Sequence, residues 1–230
     1  MAIKAVVFDA YGTLFDVYSV GVLAEELFPG NGQALSQIWR DKQIEYTRLI
    51  TQSDPHNPQG SQYYLPFEEI TRCALRYACK RLSLLLNDDK ERQLMDAYNQ
   101  LTPFPENLSV LRALHEKKIN TAILSNGSHE MLNKVVKAAG FDAYLNAILT
   151  VEPVRLFKTA PETYNLALNQ FACHKQDILF VSSNGWDALG ATWFGFKTFW
   201  VNRYNFPLEE IGPHPTKVGR QLTDILDLLN

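Results

Sequence analysis

The sequence predicts an α/β fold: a doubly wound parallel sheet with a block of helices inserted after its first strand. Three observations carry this. Five short apolar runs lack strict alternation, as strands covered on both faces do. Helical patterns separate the last four of these runs. Residues 17–97 hold helical patterns and no convincing strand.

The first run, "IKAVVFD" (3–9), stops abruptly at Asp9. Helical spacing follows in "SVGVLAEELF" (19–28), "ALSQIWRDKQIEYTRLI" (34–50), "FEEITRCALRYACKRL" (67–82) and "DKERQLMDAYNQL" (89–101). A polar, proline-bearing loop, "TQSDPHNPQGSQ" (51–62), interrupts them. A helical block in this position is expected to form a cap (17–97) over a Rossmann-like core (1–16 and 98–230). The second strand, "INTAILSN" (119–126), leads into "SHEMLNKVVKAAG" (128–140). There Ser128 is a candidate N-cap, Met131, Leu132, Val135, Val136 and Ala139 share one face, and Gly140 ends the helix. The third strand is "NAILTV" (146–151), and "PETYNLALNQF" (161–171) opens on a proline suited to a first helical position. "DILFVSSN" (177–184) is the fourth strand, "GWDALGATWFGF" (185–196) a further helix, and "KTFWVN" (197–202) the fifth strand.

Composition narrows the function classes. The 230 residues suffice for one large domain or one domain with an insertion. A net charge of −3 gives no reason to expect nucleic acid or an acidic membrane surface as a partner. Three cysteines (Cys73, Cys79, Cys173) without a CxxC pattern fit free thiols in a reducing cytosol better than a disulfide frame. The apolar run at residues 5–8 is too short for a signal peptide, and no stretch approaches a membrane span. The five histidines show no metal-ligand spacing. A soluble, cytoplasmic protein is expected.

Ligands of open α/β sheets bind beyond the carboxyl ends of the strands. Here the first strand ends at Asp9, followed by Tyr11, Gly12 and Thr13, and the second at Ser125-Asn126-Gly127. The third is followed by Arg155 and Lys158, and the fourth ends at Ser182-Ser183-Asn184, then Trp186-Asp187. Each group has an ordinary alternative: a turn former, a helix cap, a solvated lysine. Those alternatives do not predict four polar strand ends at one edge.

In order and across essentially the whole chain, "FDAYGTLFD", "ILSNGS", the lysine of "RLFKTAPETY" and "FVSSNGWD" resemble the four motifs of the haloacid dehalogenase superfamily. The resemblance implies a nucleophilic Asp9, a hydroxyl at Ser125, a cationic Lys158 and an acidic fourth motif. Phosphatases of that superfamily place an aspartate two residues after the nucleophile to protonate the leaving alkoxide. Here that position is Tyr11, and a phenol with a pKa of about 10 is a poor proton donor for the step. The fourth motif offers only Asp187 where an acidic pair helps to hold magnesium, a cation that favours carboxylate-rich oxygen sites. A halide departs without a proton, and an aspartate carboxyl, ionised at neutral pH, needs no base to attack carbon. "DAYGTLFD", "WRDKQIEYT", "SNGS", Lys158 followed six residues later by Tyr164, and "SSNGWD" are similar to the L-2-haloacid dehalogenase branch.

That resemblance implies hydrolytic dehalogenation of (S)-2-haloalkanoic acids to (R)-2-hydroxy acids without metal or cofactor. It also implies roles. Asp9 attacks, Thr13 holds its carboxylate, and Lys158 pairs with and orients it. Arg40 and Asn126 receive the halide, a pair that would also serve the more demanding fluoride of fluoroacetate. Ser125 and the backbone N–H groups after Asp9 hold the substrate carboxylate. Tyr164 steadies Lys158 or Arg40; Ser182 and Asn184 fix the nucleophile or the water; Asp187 positions or activates that water. Tyr11, Ile44, Phe67 and Trp186 form an apolar wall around the Cα substituent. A homodimer is implied too. The chain departs from the branch in its longer 51–62 loop, in Asp41 where a glutamine is common, and in Lys-Thr-Ala-Pro after the motif lysine where Lys-Pro is usual. Three alternatives stay open on residues alone: a phosphatase with unusual motifs, a hydrolase opening a strained ring acid by the same attack, and an inert binding protein. The joint retention of Asp9, Lys158 and Asp187 argues against the last.

Overall fold

The structure, a computed structural model, describes residues 3–54 and 56–229. Residues 1, 2 and 55, which fall in the predicted core and loop, and residue 230 lie outside the described residues. Six strands form one parallel sheet: β1 (Ala5–Phe8), β2 (Asn120–Ser125), β3 (Ala147–Thr150), β4 (Ile178–Ser182), β5 (Lys197–Val201) and β6 (Lys217–Gly219). Their order is β3-β2-β1-β4-β5-β6. The first strand is therefore central, with Phe8 opposite Ile123 on one side and Val181 on the other.

All of β1 is buried, which explains its unbroken apolar run. Alternation sends Val6 and Phe8 into one apolar layer and Ala5 and Val7 into the other. The first layer is completed by α5 (Asn107–Glu116) and α6 (His129–Ala138), through Val110, Leu111, Leu114, Leu132, Val135 and Val136. The second is completed by α7 (Pro161–Phe171) and α8 (Gly185–Phe194), through Tyr164, Ala167 and Ala191. The Ser128 hydroxyl accepts from Met131 N at 3.3 Å, and Pro161 begins α7. Two elements had no counterpart in the sequence reading. Helix α5 is amphipathic and packs on the sheet, and β6 is a three-residue edge strand, too short to stand out from its surroundings.

Between β1 and β2 the described residues form no strand but four helices besides α5: α1 (Val20–Leu27), α2 (Gly32–Ser53), α3 (Phe67–Arg81) and α4 (Asp88–Tyr98). Leu35, Trp39, Gln43 and Thr47 are buried at four-residue spacing along α2, the stripe expected of a packed helix. Trp39 Nε1 donates to Thr71 O at 2.7 Å and Gln43 Nε2 to Thr71 Oγ1 at 2.9 Å, fixing α2 on α3. The loop after α2 turns back onto the core. Phe157 N donates to Thr51 Oγ1 at 2.9 Å and Ser61 N to Arg155 O at 3.2 Å. Gly60, at φ +82°, lies where a Cβ would come within 2.2 Å of Val154 O, so only glycine allows this approach. This latch ties the far end of α2 to the segment carrying Lys158. No helix among the described residues is long and apolar enough to cross a membrane.

Candidate active site

Asp9 follows β1 directly, and its N–H donates to Val181 O at 2.9 Å, so the sheet ladder fixes its backbone. Gly12, at φ +91°, then turns the chain sharply and brings Thr13 back over the carboxylate. Thr13 Oγ1 donates to Asp9 Oδ2 at 2.8 Å and itself accepts from Ser183 N at 2.8 Å, which fixes the direction of its proton. Asn184 Nδ2 donates to the same Oδ2 at 2.8 Å and to Tyr11 O at 3.0 Å. Lys158 Nζ donates to the other oxygen, Oδ1, at 2.9 Å. Oδ2 is thus saturated, while Oδ1 keeps a lone pair free.

Lys158, 1% exposed, also donates to Asp187 Oδ2 at 2.9 Å. Burial works to discharge the ammonium, but the charges of Asp187 and Asp9 outweigh it, and the Lys158 pKa lies above its ordinary 10.5. Burial raises the Asp187 pKa, opposed by the charge of Lys158 and reinforced by that of Asp9. Tyr164 sends its hydroxyl to Asp187 Oδ1 at 2.8 Å, and burial holds that phenol well above its usual range. Tyr164 therefore steadies Lys158 at one remove, through Asp187, and does not reach Arg40. Both oxygens of Asp187 are engaged and the side chain is fully buried, so it stands behind Lys158 and not on the cavity wall.

The cavity above Asp9 has an open volume of about 20 Å³. Asp9, Tyr11, Ser125, Asn126 and Trp186 line it from the sheet side, and Arg40, Gln43, Ile44, Thr47 and Phe67 from the helical side. Ser125 Oγ accepts from Gly127 N at 3.1 Å, leaving its proton for another acceptor. Asn126 Oδ1 accepts from Lys158 N at 2.9 Å, which leaves the amide nitrogen as the donor. Arg40 donates through Nη2 to Tyr11 O at 3.3 Å and Asn184 Oδ1 at 3.2 Å. Ser182 does not reach Asp9; its hydroxyl accepts from Asn184 N at 3.1 Å and so orients a residue that does. Of the N–H groups after Asp9, those of Gly12, Thr13 and Leu14 are committed to internal carbonyls, which leaves Ala10 and Tyr11.

Phe67 reaches the wall despite the longer loop and stacks on Tyr11 at 5.7 Å between centroids. The Tyr11 hydroxyl is buried without a partner among the described residues, and burial raises its pKa far above the ordinary value. Gln43 and Thr47 were missed in the sequence. Their signal was there, because positions three and seven after Arg40 share its helix face. Arg203 was missed as well. It pairs with Glu106 and donates to Thr13 O at 3.2 Å, bracing the turn that holds Asp9. No motif marks it.

The chain is similar to known proteins along its whole length. Residues 3–195 match the family model of haloacid dehalogenase-like hydrolases. An (S)-2-haloacid dehalogenase of Pseudomonas putida is 40% identical over 227 residues, which make up 99% of this chain and 96% of that one. Among solved structures, the L-2-haloacid dehalogenase RSc1362 superposes with a TM-score of 0.96 at 51% identity, covering 100% of this chain and 99% of its own. The L-2-haloacid dehalogenase of Xanthobacter autotrophicus, with chloropropionic acid covalently bound, superposes with a TM-score of 0.88 at 35% identity, covering 99% and 98%. With a family model over residues 3–195 and relatives about 40% identical along nearly the whole chain, the protein belongs to the haloacid dehalogenase-like hydrolases and, within them, to the (S)-2-haloacid dehalogenase family.

Proposed function

We propose that the protein hydrolyses (S)-2-haloalkanoic acids to (R)-2-hydroxy acids and halide through an ester on Asp9. The observation that carries this reading is the state of the Asp9 carboxylate, with one oxygen saturated and the other held by Lys158 with a lone pair to spare. Oδ1 attacks Cα in line with the carbon–halogen bond; the new C–O bond forms as halide leaves with the bonding pair. The Arg40 guanidinium and the Asn126 amide receive that anion. Ser125 Oγ–H and the N–H groups of Ala10 and Tyr11 take the substrate carboxylate. Tyr11, Ile44, Phe67 and Trp186 wall off bulk water, which strengthens each of these contacts.

In the second step water adds to the Asp9 carbonyl carbon, the bond to Asp9 Oδ1 breaks, and the hydroxy acid leaves with one proton released to solvent. Thr13 and Asn184 stand at Oδ2, where the oxyanion develops, and Lys158 at Oδ1, the oxygen that leaves with the hydroxy acid. Asp187, held by Tyr164, keeps Lys158 charged and in place; Ser182 does the same for Asn184. Cα is inverted once, because the second step leaves it untouched. Helices from residues 17–97 act in this reading as the cap that supplies Arg40, and three free thiols support a cytoplasmic location. The homodimer implied by the family belongs to the same reading, and light scattering tests it.

The test is chloride release from (S)- and (R)-2-chloropropionate with and without EDTA, followed by a single turnover in oxygen-18 water with enzyme in excess. The expected result is release from the S enantiomer alone, unaltered by EDTA, with the heavy oxygen entering Asp9 and not the product. Heavy oxygen in the first-turnover product would replace the ester by direct attack of water.

A further inference from the structure

The cavity is small and walled on both sides, so a haloacid must enter past a part of its wall that yields. Most of the wall is not free to do so. Tyr11, Gln43, Thr47, Phe67 and Ser125 are buried, and Arg40 and Asn126 are tied by the hydrogen bonds described above. Ile44 and Trp186 remain, both half-buried, and the indole N–H of Trp186 has no partner among the described residues. These same two residues also line an open surface groove of about 790 Å³ on the other side. They are the partition between groove and cavity.

Arg48 is the one cation among the residues lining that groove. It lies eight residues beyond Arg40 on α2, with Ile44 midway, so the three form one stripe from groove to cavity. It makes no hydrogen bond or ion pair among the described residues; its guanidinium carbon lies 5.4 Å from the centre of the Trp186 ring. Acidic groups face it from the rest of the groove: Asp41, Glu209 and Glu45, the last paired with Lys42 at 2.7 Å. An incoming carboxylate therefore finds a single attractive point.

We propose that this groove is the docking vestibule for the 2-haloacid anion, with Arg48 receiving its carboxylate and the Trp186 indole serving as the door into the cavity. The inference rests on the dehalogenase reading. With no anion present, Arg48 lies over the indole and holds it across the opening. A carboxylate at Arg48 competes for the guanidinium and frees the ring to swing, and Arg40 then draws the anion inward.

Halide release from (S)-2-chloropropionate by wild type, Arg48→Gln, Arg48→Lys, Trp186→Ala and the Arg48→Gln/Trp186→Ala double variant tests this across ionic strength. Arg48→Gln should lower kcat/KM about tenfold, as expected for a lost steering charge. It should leave kcat within about twofold, since docking precedes the chemical step. Its kcat/KM should no longer fall with salt, and should rise as the acidic groups are screened, between about 0.01 and 1 M, where the screening length shrinks from about 30 to about 3 Å. Arg48→Lys should restore the salt dependence. In the Trp186→Ala background, loss of Arg48 should matter less, because the door is already gone. Wild-type kcat/KM and an unchanged salt profile in Arg48→Gln would overturn the docking role while leaving the reaction intact. An equal penalty with and without Trp186 would overturn the door. A wild-type enzyme inert toward every haloacid would fail earlier, by removing the reaction itself, and the docking role with it.

Discussion

The sheet wall of the cavity and its helical wall differ in how the charged groups that face a substrate are held. On the sheet side, the Asp9 carboxylate accepts three hydrogen bonds, Lys158 bridges two carboxylates, and each oxygen of Asp187 accepts one. On the helical side, Gln43 and Thr47 are bound within the helices, whereas Arg40 is held through Nη2 at 3.2 and 3.3 Å, Ile44 by packing, and Arg48 by a ring. A group that must meet a reacting carbon gains from being fixed beforehand, since no reorganisation is then needed in the transition state. A group that must let substrate pass gains from the opposite. Chemistry belongs to the tightly held groups around Asp9, with Arg40 receiving the anion, and access to the loosely held Ile44, Trp186 and Arg48; substitutions should divide accordingly.

The largest effect should come from Asp9→Asn. Turnover is expected to fall by about 10⁴-fold or more, as when a nucleophile is removed, with the circular-dichroism spectrum unchanged. Residual activity near wild type would detach the chemistry from the groups around Asp9 altogether. Lys158→Met comes next and tests stability as well as rate. It strands two buried carboxylates, which should reduce stability by about 3–5 kcal/mol in urea denaturation. Adding Asp187→Asn should recover part of that loss; no recovery would show that the three groups do not act as one unit.

Alkaline titration gives a smaller, graded effect. The pKa values of Lys158 and Tyr164 are raised on folding, so their stabilising contribution is complete below about pH 10 and is lost as pH rises through the folded values. Tyr164→Phe removes one of these groups and should flatten the decline. At neutral pH the same variant should lose about 1–2 kcal/mol for the missing hydrogen bond, seen in kcat. Smallest of all, Asp41→Asn on the helical side should raise kcat/KM by about twofold and leave kcat alone, as removal of an exposed repelling charge does. A comparable change in kcat would mean that Asp41 itself acts on the chemical step.

The two walls also differed in how far the sequence revealed them. Polar residues at four strand ends, with a glycine after the first, gave Asp9, Thr13, Lys158 and Asn184 as neighbours, because a parallel sheet brings such ends together. What the hydroxyls touch was not legible. The Tyr164 hydroxyl meets Asp187, and that of Ser182 meets a backbone N–H, because those directions depend on how α7 and α8 pack and on the turn after β4. Gln43 and Thr47 are polar residues on a helix face that periodicity alone assigns to packing. Arg203 reaches the site from a loop beyond β5, across a distance no local pattern encodes.

The central place of β1 has a consequence for how the enzyme comes into being. Its partners arrive late: Ala5 pairs with Asn120 and with Ile178. The carboxylate that leads the reaction leaves the ribosome well before β2 and β4, the strands on either side of it, and before Lys158, Asn184 and Asp187, the residues that set it. Contacts so distant along the chain are slow to form. A nascent or truncated chain that stops short of residue 187 carries the nucleophile without its setting, and activity should switch on only once that residue and the strands before it are in place.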